Sequence, residues 1–108
     1  MNRKFQPPTL TGRQKRYLRG LGHHLQAVVI VGKEGMSDNL IESVRQALAA
    51  RELIKVKLGQ NCPVDKREAA QDLASLTGAS LVQLIGRTIL LYLPNKELNN
   101  DRRIQLPS

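Results

Sequence analysis

Residues 27–38 read AVVIVGKEGMSD, an apolar run that passes through a Gly-x-x-Gly segment into a polar helix start. The apolar run predicts a central strand, and Ser37 followed by Asp38 predicts the N-cap and first turn of a helix. Gly32 and Gly35 would let the backbone approach a ligand closely, and the free N–H groups of a helix start carry partial positive charge. Such a junction is typical of a site that contacts phosphate.

The composition predicts one small domain with a cationic surface. The 108 residues are 41% hydrophobic, and 17 Lys and Arg against 9 Asp and Glu give a net charge of +8. This charge favours a polyanionic partner, with nucleic acid ahead of an anionic membrane. Glu34 is the first acidic residue, so every charged side chain before it is basic.

The sequence also indicates a cellular compartment. No segment approaches the roughly 20 apolar residues of a membrane span, and the polar start lacks the apolar stretch of a signal peptide. The single Cys62 cannot form an internal disulfide, which fits a reducing compartment. We therefore expect a cytoplasmic monomer that is not associated with a membrane.

Capping signals mark the starts of three helices. Thr11, with a Gln three residues later, predicts a first helix to about residue 21, and Ser37 starts the second. Asp65, with a Glu three residues later, starts the third, which Gly78 ends. We expect these helices to cover mainly one face of a sheet.

The strand patterns complete the fold prediction. Residues 53–58 alternate, which puts Lys55 and Lys57 on one face that is open to water. Two later apolar runs flank Gly86-Arg87, a two-residue hairpin whose leading glycine suits a type II′ turn. We predict an α/β fold: a single compact two-layer domain, order α-β-α-β-α-β-β, with two right-handed βαβ crossovers and a small four-stranded mixed sheet.

The chain divides into three predicted parts. Residues 1–10 are basic and contain Pro7-Pro8, which predicts a flexible arm. Residues 11–98 form the predicted domain. Residues 99–108 are predicted to be a polar C-terminal tail.

Two groups of residues are candidates for binding a polyanion. Gly32, Lys33 and Gly35 form the first group. The two glycines alone could simply mark the end of a strand and a tight turn. Because Lys33 lies beside a helix start, contact with a phosphate is an equal alternative. The second group comprises the basic residues of the first helix and of the alternating strand. Its members are Arg13, Lys15, Arg16, Arg19, Lys55 and Lys57. Their alternative role is to keep a solvated surface soluble.

No motif predicts catalysis, a metal site or a cofactor. The glycine segment lacks the Lys-Ser/Thr of a Walker loop and the third glycine of a dinucleotide fingerprint, which argues against an enzyme that binds nucleotide phosphates. His23, His24 and Cys62 lack metal-ligand spacing, and no catalytic triad or carboxylate pair stands out.

Aromatic content narrows the nucleic-acid interpretation. Phe5, Tyr17 and Tyr92 are the only aromatic residues, so a platform for stacking several unpaired bases is missing. Recognition of the shape and backbone of structured RNA is therefore favoured.

Four motifs run in register along the chain. They are LRGL at residues 18–21 with Gln14 before it, GKEG at 32–35, ELIKVK at 52–57 and IGRT at 85–88. Over residues 10–106 the chain resembles the CRM (chloroplast RNA splicing and ribosome maturation) domain family in its stand-alone bacterial YhbY-like form. The resemblance implies a compact α/β domain similar to the C-terminal domain of translation initiation factor 3. It also implies RNA binding through Gly32, Lys33 and Gly35, and association with precursors of the large ribosomal subunit.

The resulting hypothesis is a non-catalytic protein that binds structured ribosomal RNA during large-subunit assembly. The alternative is a basic protein-interaction module that binds an acidic or ribosomal protein partner.

Overall fold

The computed structural model describes residues 9–108, and the predicted α/β class and element order are confirmed. The elements are α1 (Gly12–Gly22), β1 (Ala27–Val31), α2 (Asp38–Arg51), β2 (Leu53–Leu58), α3 (Lys66–Thr77), β3 (Ser80–Ile85), β4 (Thr88–Tyr92) and a short 3₁₀ helix (Asn100–Arg102). Most of the predicted basic arm at residues 1–10 lies outside the described residues. Leu10 is among the described residues, and it is half-buried against a core cluster that includes Leu18 of α1.

The predicted capping signals are confirmed. Thr11 Oγ1 accepts a hydrogen bond from the Gln14 N–H at 3.1 Å, and Gln14 Oε1 accepts from the Thr11 N–H at 3.0 Å. The side chain of Asp65 caps α3, and Gly78 ends it in the left-handed conformation. Local sequence therefore sets the helix ends.

The sheet has the order β1-β2-β4-β3, so the prediction that residues 27–31 form a central strand is wrong. β1 pairs in parallel with β2 at one edge, and the β3–β4 hairpin places β4 beside β2 in the middle. Only alternate residues of β1 face the core: Val31 is buried, whereas Val28 and Ile30 are 42% and 64% exposed. The prediction failed because a short apolar run has the same sequence pattern in an edge strand with one buried face as in a central strand.

Helices pack on both faces of the sheet. α2 and α3 cover the larger core, which includes Ile54, Val56 and Leu58 of β2. We expected all helices mainly on that face, but α1 packs on the other, where Leu18 meets Leu53 and other sheet residues in a second core. The physical reason is that β2 also carries the apolar Leu53 on its basic face, which α1 covers.

A buried carboxylate holds the C-terminal segment beside the second core. Glu52, fully buried, follows α2 with a φ of 62°. Its carboxylate accepts hydrogen bonds from the backbone N–H groups of Asn95 at 2.6 Å and Ile104 at 2.7 Å, and it pairs with Arg103 Nε at 3.2 Å. Ile104 and Leu106 also pack against this core. The division at residue 98 stays a prediction, with residues 103–107 held against the domain.

Candidate nucleic-acid interface

The Gly-x-x-Gly segment is a closed turn at the end of β1, here called the glycine turn (residues 32–35). The Gly35 N–H donates to the Gly32 carbonyl at 3.0 Å, so Lys33 and Glu34 lie exposed between them. Gly35 has a φ of +64°, and a Cβ there would lie 3.4 Å from Val64 Cγ2. Glycine is thus needed at residue 35 for conformation.

Gly32 differs from Gly35. Its φ lies outside the left-handed region, and a Cβ at this position would meet nothing within 4 Å. Nothing within the described chain requires glycine at residue 32. The missing side chain instead leaves the backbone accessible from outside.

The glycine turn and the first turns of α2 border a shallow depression of about 410 Å³. Ser37 caps the helix by accepting from the Leu40 N–H at 3.1 Å. Asn39 and Ser43 also line the depression, although sequence reasoning did not select them. The sequence feature that could have identified them is the i, i+4 spacing of two polar residues, which places them on one helix face. Lys33 supplies the only positive side chain among the lining residues, and Glu34 brings an opposing carboxylate.

Arg87 in the β3–β4 hairpin helps to hold the end of β1, from which the glycine turn follows. Arg87 Nε donates to the Leu58 carbonyl at 3.2 Å, and Arg87 Nη2 donates to the Gly59 carbonyl at 2.6 Å. The Gly59 N–H in turn donates to the carbonyl of Val31, next to Gly32, at 2.8 Å. Arg87 was part of the IGRT motif but was not selected as a site residue. It supports the end of β1 through these bonds.

Lys55 and Lys57 lie on the sheet face opposite α2 and α3, as the alternation predicted. Lys57 pairs in register with Ile30 of β1 and Thr88 of β4, and Lys55 pairs with Leu90. Lys57 is exposed and Lys55 is half-buried. Because Ile30 precedes Gly32 by two residues, Lys57 is the sheet cation nearer in register to the glycine turn.

The basic residues of α1 form a separate group on that same side of the sheet. Arg13, Lys15 and Arg16 are exposed, and Arg19 is half-buried. Within residues 9–108, no hydrogen bond or ion pair joins them to the glycine turn. The structure therefore divides the predicted site residues between an edge turn and a broad basic face.

None of the candidate cations is neutralised by a carboxylate in the described part of the chain. The two ion pairs there are Arg45–Glu42 at 3.8 Å and Arg103–Glu52 at 3.2 Å. The positive charges at the glycine turn, on α1 and on β2 are thus available to an external anion.

Residues 9–108 offer no alternative metal site or membrane-spanning helix. Residues 9–108 contain no cluster of three or more His, Cys, Asp or Glu side chains that could hold a metal ion. No helix within this range is long and apolar enough to cross a membrane. Tyr92, one of the two described aromatic residues, is buried in the second core.

A family model and two curated relatives match most of the chain. A family model described as the CRS1 / YhbY (CRM) domain matches residues 10–92. A Bacillus subtilis protein named "Probable RNA-binding protein YqeI" is 49% identical over 98 residues, covering 91% of this chain and 99% of the relative. A Haemophilus influenzae protein named "RNA-binding protein" is 37% identical over 99 residues, covering 92% and 96%.

A solved structure is similar over nearly the whole chain. The solution structure of SAV1595 from Staphylococcus aureus, described as a candidate RNA-binding protein, superposes with a TM-score of 0.73 at 42% identity. The match covers 92% of this chain and 100% of the other.

Proposed function

We propose that this chain, which belongs to the CRS1 / YhbY (CRM) domain family, is a non-catalytic RNA-binding protein that holds phosphates at the glycine turn. The family resemblance predicted from the sequence motifs is confirmed, and the relatives are named as RNA-binding proteins. The observation that carries the proposal is that Lys33, which has no ion-pair partner among residues 9–108, lies beside an accessible Gly32 in the turn that precedes α2.

The geometry supports a phosphate at this position in three ways. Gly32 has no side chain to keep a ligand away from the backbone. The Leu40 N–H donates to Ser37 Oγ, which leaves the N–H groups of Asp38 and Asn39 without an intrahelical partner at the positive end of the helix dipole. Lys33 adds a full positive charge, while Glu34 has to turn toward solvent to avoid repelling the anion.

The remaining cations extend the proposed interface. Arg13, Lys15, Arg16, Arg19, Lys55 and Lys57 would neutralise phosphates on either side of the one at the glycine turn. Phosphate contacts supply affinity but little sequence information, so the fold of the RNA would set the choice of target. Ribosomal RNA in large-subunit precursors, the target implied by the family resemblance, provides such folded RNA.

Sedimentation of cell lysate through a sucrose gradient tests the cellular part of this proposal. We expect the protein to migrate with large-subunit precursors at moderate salt and to leave them at high salt, because counterion release makes phosphate binding salt-dependent. A protein that remains at the top of the gradient at every salt concentration contradicts a role in assembly.

A competition experiment separates RNA from the alternative, an acidic protein partner. The purified protein is bound to a fluorescent fragment of ribosomal RNA and challenged with unlabelled RNA or with poly-glutamate. Displacement by RNA at much lower concentration supports the proposal. Tighter binding of poly-glutamate favours the protein-interaction module.

A further inference from the structure

A second concave site, here called the sheet pocket, opens on the face that carries Lys55 and Lys57. It has a volume of about 330 Å³ and lies between the end of α1 and strands β2, β4 and β3. This volume is at the lower end of the roughly 300–1,000 Å³ typical of small-molecule sites. The sheet pocket therefore suits one small group rather than a larger ligand.

The pocket exists because α1 ends before it crosses the whole sheet. Gly22, the last residue of α1, lies so close to the sheet that a Cβ there would be 2.8 Å from Leu90 Cδ2. Beyond this contact the face is partly open, with Gln83 and Thr88 half-buried and Ile85 exposed. Leu90, 2% exposed, forms the floor, and Ile85, 58% exposed, forms an apolar wall.

The strand register places polar groups around this apolar floor. Lys55 and Gln83 lie on either side of Leu90 in one row across the sheet, and Thr88 pairs with Ile85 in the next row. The side chains of Lys55, Gln83 and Thr88 have no hydrogen-bond or ion-pair partner within residues 9–108. None of the described residues that line the pocket is acidic.

This combination matches the chemistry of a nucleotide. A nucleobase has two apolar faces and an edge of donors and acceptors, and enzymes that extrude a base hold it with apolar or aromatic side chains and edge hydrogen bonds. A glutamine amide offers both a donor group and an acceptor, and a lysine ammonium pairs with phosphate. An acidic peptide would pair with Lys55 but would make little use of Gln83 and the apolar floor.

We propose that the sheet pocket receives one unpaired base of the bound RNA, a step that rests on the proposed RNA-binding function. Gln83 hydrogen-bonds the base edge, the exposed Ile85 contacts its face, and Lys55 pairs with a phosphate next to it. Lys57, two residues further along β2 on the same face, continues the cationic path toward the glycine turn. The protein thus distinguishes RNA helices that carry a bulged nucleotide from continuous ones.

The test compares two RNA hairpins that differ by a single bulged nucleotide. Gln83→Met keeps the size of the side chain and removes its amide, and Gln71→Met makes the same change at an exposed position of α3. Wild type and Gln71→Met are expected to prefer the bulged hairpin about tenfold, and Gln83→Met to lose most of that preference, as expected for one or two lost hydrogen bonds. Thermal unfolding of each variant verifies that it is folded.

The outcomes separate this inference from the proposed function. If wild type binds both hairpins equally while Lys33→Ala weakens binding to both, RNA binding stands and the base site is wrong. If Gln83→Met weakens both hairpins by the same factor, Gln83 does not read an unpaired base. If neither hairpin binds, the proposed function itself fails.

A second measurement does not depend on RNA structure. Adenosine, cytidine, guanosine and uridine 5′-monophosphates are added to ¹⁵N-labelled protein, and amide chemical shifts are followed by NMR. At least one of them is expected to shift the side-chain amide of Gln83 together with the backbone amides of Thr88 and Leu90. Shifts confined to the glycine turn, or larger shifts at the sheet pocket with poly-glutamate, contradict a base site.

Discussion

At the scale of single residues, the two glycines of the glycine turn have different reasons to be glycine. Gly35 has a positive φ, and a Cβ there would lie 3.4 Å from Val64 Cγ2 and 3.6 Å from Pro63 Cγ, so the folded chain itself requires glycine at this position. Gly32 has open space where a side chain would be. The sequence could not distinguish them, because both appear simply as glycines of a Gly-x-x-Gly motif. The difference lies in their backbone angles and surroundings, which only the structure shows.

This difference predicts opposite outcomes for two alanine variants. Gly35→Ala should lower the free energy of unfolding by about 1–2 kcal/mol, because the left-handed conformation is unfavourable for alanine. Gly32→Ala should leave that free energy nearly unchanged and still weaken RNA binding, because its methyl group would meet the phosphate. Urea unfolding and fluorescence anisotropy of both variants provide the comparison. Wild-type RNA affinity in Gly32→Ala would rule out a close backbone approach at this residue.

At the scale of elements, Glu52 joins parts of the fold that are distant in sequence. Burial alone raises the pKa of Glu52. The N–H groups of Asn95 and Ile104, together with Arg103, outweigh that effect and hold the pKa below its ordinary value of 4.5. The carboxylate thereby links the end of α2 to the segments that follow β4. Removing one partner of a buried ion pair costs about 3–5 kcal/mol.

Glu52→Gln should therefore destabilise the fold by about 3 kcal/mol. Glu97→Gln, at an exposed position, is the matched control and should change little. Because the folded-state pKa of Glu52 is lowered, its stabilisation is fully present above the unfolded pKa and is lost as the pH falls through the folded value.

Urea unfolding between pH 7 and pH 2 measures this effect. Wild type should lose more stability with acid than Glu52→Gln, so the two curves should converge at low pH. Other carboxylates titrate in both proteins, and the difference between the curves isolates Glu52. Curves that stay parallel over this range would show that Glu52 is not the acid-sensitive group.

At the scale of the whole molecule, sequence patterns predicted what local chemistry controls. Thr11, Ser37 and Asp65 start helices through side-chain bonds to residues two or three positions away, and such signals are readable along the chain. The edge position of β1 and the packing of α1 depend on which strand the hairpin places beside β2. Asn95 and Ile104 bond to Glu52 across sequence separations of 43 and 52, which no local pattern reports.

The same long-range contacts make a prediction about the C-terminal segment. Deletion of residues 99–108 removes Arg103 and Ile104 from Glu52 and exposes part of the second core. The melting temperature should fall well below that of wild type, because a buried carboxylate loses partners and apolar side chains lose cover. Arg102→Ala, an exposed change in the same segment, is the control. An unchanged melting temperature in the truncated protein would support the predicted polar tail as a mere extension.

Lys96 provides a matched control for the role of Lys33 in phosphate binding. Lys33 lies just beyond the C-terminal ends of the parallel strands β1 and β2. Lys96 lies at the opposite end of the strands, where the antiparallel strand β4 ends beside the start of β2. Both side chains are exposed, so Lys33→Ala and Lys96→Ala remove the same charge at opposite ends of the domain.

The most direct measurement is the salt dependence of binding to a structured ribosomal RNA fragment for wild type, Lys33→Ala and Lys96→Ala. If the glycine turn holds a phosphate, Lys33→Ala weakens binding and lowers the slope of log affinity against log salt by about one unit, since one counterion fewer is released. Lys96→Ala should then keep the wild-type slope. Equal slopes for Lys33→Ala and wild type would contradict phosphate binding at the glycine turn.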